Sequence, residues 1–346
     1  MASCLLGKGL KRASRYDPAM RPRSTLAERL PWGALAVAAG VTIDRRFGEP
    51  PLAVHPVAHF GQLMSALEAR IYRDSRAVGV AHAGAGGLGA AAVGWCAQRV
   101  LGRGVATALA TAAVVAGRML GGEASAVGEL LQAGDLDAAR ERLPSLVGRS
   151  PHGLSETEIA RAVVESVAEN AIDAVVAPIF WAVVGGAPAA CAYRAINTLD
   201  AMVGHRSERY LSFGWASART DDFVNWVPAR LGALCVALVR PERAQSVLSI
   251  VRRDAHRHPS PNGGVIESAF AAALGIQLGG ANRYGDTLED RGSLGDGPPA
   301  AACDIAAAVE LLRRITWTAV TVAAVVECAA RSARSGRQST PLARAK

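Results

Sequence analysis

Long apolar runs separated by short, densely polar stretches set the plan of this chain. The first run, Pro31 to Ile43, falls short of the roughly 20 residues a bilayer demands and needs Leu30 and Phe47 beside it to act as a transmembrane segment. It leads into DRRFGEPPLAVHPVAHFG, where Gly48, Pro50, Pro51 and Pro56 predict a loop or re-entrant turn carrying Asp44, Glu49, His55 and His59. Residues 77 to 98 hold no charge and are long enough to span. Residues 104 to 117 make a shorter span after a turn at Arg99 and Arg103, so the two predict a helical hairpin. From Arg118 the texture changes: ASAVGELLQAGDLDAARERL and, after a break at Ser150-Pro151, SETEIARAVVESVAEN place apolar residues at helical spacing between charges. This predicts an amphipathic, aqueous helical insert over about 118 to 164, with Ser155 and Glu158 spaced as a capping box and His152 in the turn before it.

The polar stretches that follow abut segments as apolar as a bilayer. Glu165, Glu169 and Asp173 are spaced i, i+4, i+8, which on a helix confines three carboxylates to an arc of about 80°. Like charges so stacked repel, and either a bound cation or a solvated face neutralised by Arg161 relieves them. Ala174 to Tyr193 follows without a charge, broken at Pro178 and at Gly185-Gly186-Ala187-Pro188. Arg194, Asn197 and Asp200 then share a helical face. After the turn GHRSERYLSFGW, Arg219, Asp221, Asp222 and Asn225 crowd together just before the apolar run Val227 to Val239. Residues 252 to 264, RRDAHRHPSPNGG, form another polar loop, where Arg252, Arg253, Ser260, Asn262 and the Gly263-Gly264 backbone offer donors to phosphate. His256 and His258 fall on one side of it as a possible zinc pair, but no further ligand has the spacing. Glu267 opens an Ala-rich helix, residues 282 to 303 read as a Gly-, Asp- and Pro-rich loop, and Ala306 to Val326 is a last apolar segment interrupted by Glu310, Arg313 and Arg314. The expected fold class is all-α, a polytopic integral membrane helical bundle with an amphipathic insert and polar loops.

Composition agrees: half the chain is hydrophobic, mostly Ala, Val, Gly and Leu with few aromatics, and such small residues let helices approach closely in lipid. The net charge of +8 resides at the ends, which predicts cytoplasmic termini. Residues 1–29 and 331–346 are expected to be basic, disordered tails around one membrane-embedded domain over 30–330. No small-residue cleavage site follows the first run, so it reads as an uncleaved anchor. Neither tail interleaves basic residues with aromatics, which argues against a nucleic-acid partner. Cys4, Cys96, Cys191, Cys235, Cys303 and Cys328 lie far apart, without metal or redox spacing. Gly84, Gly86 and Gly89 satisfy G-x-G-x-x-G, but an apolar helix precedes them and Arg103 lies downstream, so they read as helix-packing glycines.

Two acidic and amide clusters flanking one uncharged span favour Mg²⁺ with a bridging phosphate, since that ion keeps most of its waters and takes only one or two protein oxygens. Arg219 and Arg230 would then pair with phosphate or carboxylate oxygens as two-pronged donors.

The motifs GEPPLAVHPV, VGRS, ESVAENAIDAVVAPIFW, AINTLDAMVGHRSERYLSFGWASARTDDFVNWVPARL and RRDAHRHPSPNGGVIESAFAAALGIQLGG, in that order from about Asp44 to about Leu312, resemble the adenosylcobinamide-phosphate synthases, or cobinamide synthases, of cobalamin biosynthesis. The resemblance implies a multi-pass enzyme of the cell membrane that joins adenosylcobyric acid, through a propionate carboxylate, to (R)-1-amino-2-propanol or its O-phosphate, with ATP as co-substrate. It implies corrinoid, amine and lipid bilayer as partners and admits other late corrin-pathway enzymes. The chain departs from the family pattern at Glu49, where Asp is usual, at Ser150, which replaces an Asp, at Ala171 and Ala174, and at His205. Within this reading Glu165, Glu169, Asp173, Asp200, Asp221 and Asp222 are the candidate catalytic carboxylates, and Glu169, Asp173, Asp221 and Asp222 the candidate Mg²⁺ ligands. Arg219, Arg230 and Arg253 are assigned to phosphate; Asn170, Asn197, Asn225 and Asn262 to orientation; Asp44 and His55 to a second polar wall; and His258, Ser260 and Glu267 to substrate binding. No G-x-x-x-x-G-K-[ST] exists, so ATP is not held by a P-loop.

Two other classes bury similar groups. A secondary transporter would show inverted repeats, and the halves share no convincing similarity. A Mg²⁺-dependent membrane prenyltransferase favours two-spaced aspartates, which neither cluster has.

Overall fold

The structure is a computed structural model that describes residues 31–148, 151, 153–284 and 287–338. The tail expected over 1–29, the last residues 339–346, Ser150 and His152 lie outside the described residues.

Thirteen helices and one hairpin follow in order among those residues: α1 Trp32–Phe47, α2 Pro56–Ile71, α3 Arg76–Leu101, α4 Arg103–Val114, α5 Gly117–Gln132, α6 Leu136–Arg142, α7 Glu156–Ala171, α8 Ala177–Leu199, α9 Trp215–Val224, α10 Trp226–Val239, α11 Ala244–Asp254, α12 Gly263–Leu274, β1 Leu278–Tyr284, β2 Thr287–Leu294 and α13 Ala302–Gln338. Short 3₁₀ turns connect several of them, and two π-helical turns, Ile172–Val176 and Asp200–Gly204, bracket α8. Among the described residues, three helical stretches are long and apolar enough to cross a membrane: Arg76–Leu101, Arg103–Gln132 and Glu156–Gly204. A fourth forms if α9 and α10, bent by 41°, count as one span. The fold is therefore the all-α membrane bundle expected from the apolar runs. α3 packs along α8 and α9, and leaves Val93 and Val100 exposed at 68% and 82%, as a lipid-facing helix does.

Several boundaries differ from the sequence reading. The Pro-rich loop is shorter than expected: α1 continues through Asp44 to Phe47, and Pro56 opens α2 at the one helical position where its missing N–H costs nothing, so His59 is helical. Pro31 to Ile43 becomes α1, which is not among the helices long and apolar enough to span. Residues 282–284 and 287–294 are not loop but part of the β1–β2 antiparallel hairpin, bulged between Gly279 and Ala281. α13 continues to Gln338, past the expected start of the tail at 331; Arg331 pairs with Glu327 one turn earlier at 2.6 Å. That glutamate also accepts from the Gly33 and Ala34 amides, capping α1 from the far end of the chain. The capping box is present, with the Ser155 amide donating to Glu158 at 2.8 Å.

α5 and α7, from the region expected as an insert, turn Leu120, Ala124, Val127, Ile159, Val163 and Val167 into the main core, where α13 packs on both. The fold reaches the polar region through α8. Gly186, at φ 68°, kinks it in the left-handed region that favours glycine, next to Pro188. α3 docks onto that kink through Gly94, where an added Cβ would stand 2.6 Å from the Ala187 carbonyl oxygen. Gly79 meets the Phe213 backbone and Gly86 meets Leu199, whereas Gly84 and Gly89 face open space. The packing glycines are thus 79, 86 and 94, a single helical stripe, and only Gly86 belongs to the motif singled out in the sequence.

Candidate functional site: a carboxylate and amide cluster at three helix irregularities

Three irregular points of the central spans carry polar side chains. Asp173 sits in the first π-turn, Asp200 opens the second, and Asn225 stands at the α9–α10 break. In lipid such interruptions persist only where protein or a polar cavity satisfies the loosened backbone, and π-turns concentrate at functional sites.

Asn225 is the hub. It is 2% exposed, and its Nδ2 donates to Asp173 Oδ1 at 3.1 Å and to Asp221 Oδ2 at 2.9 Å, while its Oδ1 accepts from the Tyr193 hydroxyl at 2.9 Å. Both amide hydrogens are committed, so the side chain has one orientation and holds two carboxylates side by side. Asn197 Nδ2 donates to the other Asp221 oxygen at 3.3 Å, and Asn197 Oδ1 accepts from Arg194. Glu169 acts electrostatically on both carboxylates, and Asp200 is acted on by Asp221, Asp222 and Glu169. Asp222 meets Arg219 at 3.7 Å, and its carbonyl accepts from Asn262 Nδ2 at 2.8 Å. Five of the expected catalytic carboxylates, Glu169, Asp173, Asp200, Asp221 and Asp222, therefore converge.

The 252–264 loop joins the cluster from behind. Arg230 donates to Asn262 Oδ1 at 2.9 Å and to the Pro261 carbonyl, and stacks on Trp226 at 4.5 Å. His258 faces the fully buried Glu267 at 3.4 Å and accepts from the Ser260 amide through Nδ1 at 3.0 Å. Ser260 Oγ accepts from the Asn262 and Gly263 amides, which closes the turn that aims Asn262. His258, Ser260 and Glu267 thus build the loop rather than line an open surface. The zinc pair is not formed, because His258 is turned inward to Glu267.

The donor set suits an ion that takes one or two protein oxygens and completes its shell with water and phosphate, which Asp173 and Asp221 offer. The four-ligand set expected from the sequence is not assembled: among the described residues no group of three or more His, Cys, Asp or Glu is placed to hold a metal ion.

The chain matches the protein family described as CobD/Cbib protein over residues 37–312. It is 46% identical over 301 residues to the cobalamin biosynthesis protein CobD of Mycobacterium tuberculosis, covering 85% of this chain and 95% of that one. It is 43% identical over 279 residues to the Geobacter metallireducens protein of that name (76% and 86% covered), and 38% over 294 residues to that of Halalkalibacterium halodurans (81% and 92%). The chain belongs to the CobD/Cbib family. No solved structure matches it.

In this CobD/Cbib protein other expected site residues are placed elsewhere. Glu165, one turn before Glu169 on α7, is engaged outside the cluster: it is 5% exposed, accepts from the Gly279 amide at 2.9 Å and lies 3.9 Å from Arg161, tying α7 to the hairpin. Asn170 donates back to Ser166 on its own helix. His55 is the N-cap of α2: Nδ1 accepts from the Val57 and Ala58 amides, so Nε2 carries the proton toward Glu49 at 3.1 Å, leaving no ring nitrogen for substrate. Arg253 forks both Asp254 and Asp296, so its donors are used within the protein. Asp44 lines a separate cavity. Tyr193 was missed, although a phenol ending an uncharged, buried run needs a partner and the nearest polar cluster is the one to supply it.

Proposed function

We propose that this protein acts in cobalamin biosynthesis as a cell-membrane ligase, joining adenosylcobyric acid through a propionate carboxylate to (R)-1-amino-2-propanol or its O-phosphate with consumption of ATP. The observation that carries the reading is the Asn225 bridge, which holds Asp173 and Asp221 as neighbours at a break in the membrane helices. Family membership and the printed names of the relatives supply the pathway.

A carboxylate is a poor acyl donor. In the proposed sequence the corrinoid carboxylate oxygen attacks the γ-phosphorus of ATP, ADP leaves, the amine attacks the acyl carbon, and inorganic phosphate leaves as the amide forms. The attacking amine must shed a proton, and a cluster carboxylate, with Asp221 as the first candidate, accepts it. Mg²⁺, when bound with the phosphates, supplies positive charge there, and Asp173 and Asp221 would hold it. Arg219, exposed beside Asp222, and Arg194, on the face of Asn197, would meet phosphate oxygens. Arg219 also lines a groove of about 530 Å³ between α3, α8 and α9, whose Leu88, Ile196, Trp215 and Phe223 suit the apolar flank of a corrin ring. The basic termini support a cytoplasmic ATP supply for the site.

The test is an assay of purified protein in detergent with adenosylcobyric acid, aminopropanol phosphate and Mg-ATP. The reading expects a product of the amide's mass in step with ADP release. Folded protein that makes none, yet moves substrate across a liposome membrane, would replace the ligase with a transporter.

A further inference from the structure

Two adjoining cavities lie along α13, and no residue of the carboxylate cluster lines either. One, of about 460 Å³ between α1, α4, α8 and α13, is polar, with Trp32, Arg103, Glu327 and Arg331 in its wall. The other, of about 290 Å³ between α8, α10 and α13, is apolar, lined by residues such as Phe180, Leu231 and Val322. Val183 belongs to both. On α13, Ala319, Ala323, Val326 and Ala330 form one helical stripe that runs from the apolar cavity into the polar one, a track of about 16 Å at 1.5 Å per residue. A polar chamber joined to an apolar track has the shape of an amphiphile's site.

Charge and depth narrow the occupant. Glu327 accepts from the Gly33 and Ala34 amides and from Arg331 at 2.6 Å, so these two side chains cancel. Arg103 is exposed and, among the described residues, makes no hydrogen bond or ion pair, which leaves the polar cavity one uncompensated positive charge. Arg103 opens α4 directly after the Gly102 turn between two membrane-spanning stretches, and one turn earlier Arg99 lies over the Trp95 ring at 5.3 Å. Arginine and tryptophan gather in this way at the level of lipid headgroups. Trp32, 53% exposed, lines the same cavity. A soluble anion would use only the polar chamber, and a plain hydrocarbon only the track. We propose that the two cavities together bind one anionic phospholipid, its phosphate at Arg103 and one acyl chain along the Ala319–Ala330 stripe of α13.

Native mass spectrometry of the full chain in detergent, titrated with phosphatidylglycerol or phosphatidylcholine of matched chains, reads the affinity of the first bound lipid. Phosphatidylglycerol should bind about fivefold more tightly than phosphatidylcholine, the contribution of one arginine near an anionic headgroup. Arg103→Gln, which has no partner within the protein to lose, should erase that preference and leave phosphatidylcholine unchanged. Ala323→Phe fills the apolar track and should weaken both lipids by at least about fivefold, because buried methylenes carry the tail's share of the affinity. Glycerol phosphate, the headgroup without chains, should not displace phosphatidylglycerol even at about hundredfold excess. Equal affinity for the two lipids, an undiminished preference in Arg103→Gln, or full affinity in Ala323→Phe overturns the proposal. Displacement by glycerol phosphate also overturns it, in favour of a site for a soluble anion. No turnover is measured, so the result is independent of the ligase reading.

Discussion

Asn225 is the residue on which the site depends, because each polar hydrogen and lone pair it offers toward the cluster is assigned. Asn225→Leu removes the shared donor, leaving two adjacent carboxylates and a buried phenol without their partner. The expected cost is about 1–3 kcal/mol of stability, with turnover reduced more than tenfold; a variant with near-wild-type turnover would remove the bridge from the mechanism. Glu169→Gln and Asp222→Asn should each stay folded and lose more than about tenfold in turnover, and near-normal rates in both would place them outside the chemistry. Asp254 gives a test outside the membrane segments. The Arg253 guanidinium, with the Gly295 amide and Arg257, holds its carboxyl below the usual value. A depressed carboxylate contributes stability that is complete above about pH 4 and lost as pH falls through the lower, folded value. Amide protection at Gly295, which donates to Asp254 Oδ2, should therefore fall in that acid window and not above it, and Asp254→Asn should abolish the dependence. Protection that stays constant through the window would contradict this.

Among the elements, α3 and the kinked α8 make the sharpest comparison. Gly94→Val would press a side chain into the Ala187 carbonyl at the kink and should cost about 1–3 kcal/mol, whereas Gly84→Ala meets open space and should be neutral or stabilising by up to about 1 kcal/mol. Denaturation in mixed micelles distinguishes them, and equal effects would mean that the glycine stripe does not set helix approach. This is also where sequence and structure part. The uncharged runs, the capping box and the grouping of Asp221, Asp222 and Asn225 were legible, because length, capping and short spacing are local properties. The role of Glu165 was not: spacing puts it one turn before Glu169 but cannot show the distant Gly279 amide that it accepts from, while the π-turn at Ile172–Val176 changes the step from Glu169 to Asp173. For the same reason His55 and Arg253 read as free groups, although their partners lie in backbone amides and in Asp296.

At the scale of the whole molecule, the bundle keeps its apolar surfaces outward and gathers its interruptions into one polar place. The first π-turn and the helix break would each be a weakness alone in lipid; together they satisfy one another through Asp173, Asn225 and Tyr193. The most direct test compares two carboxylates that the sequence treats alike and the structure separates. In the amide-forming assay Asp221→Asn should lose more than about tenfold in rate, while Glu165→Gln, a hairpin tie, should keep most of its rate and lose thermal stability instead. Equal loss in both, or loss in Glu165→Gln alone, would contradict the assignment of the chemistry to the Asn225-bridged pair.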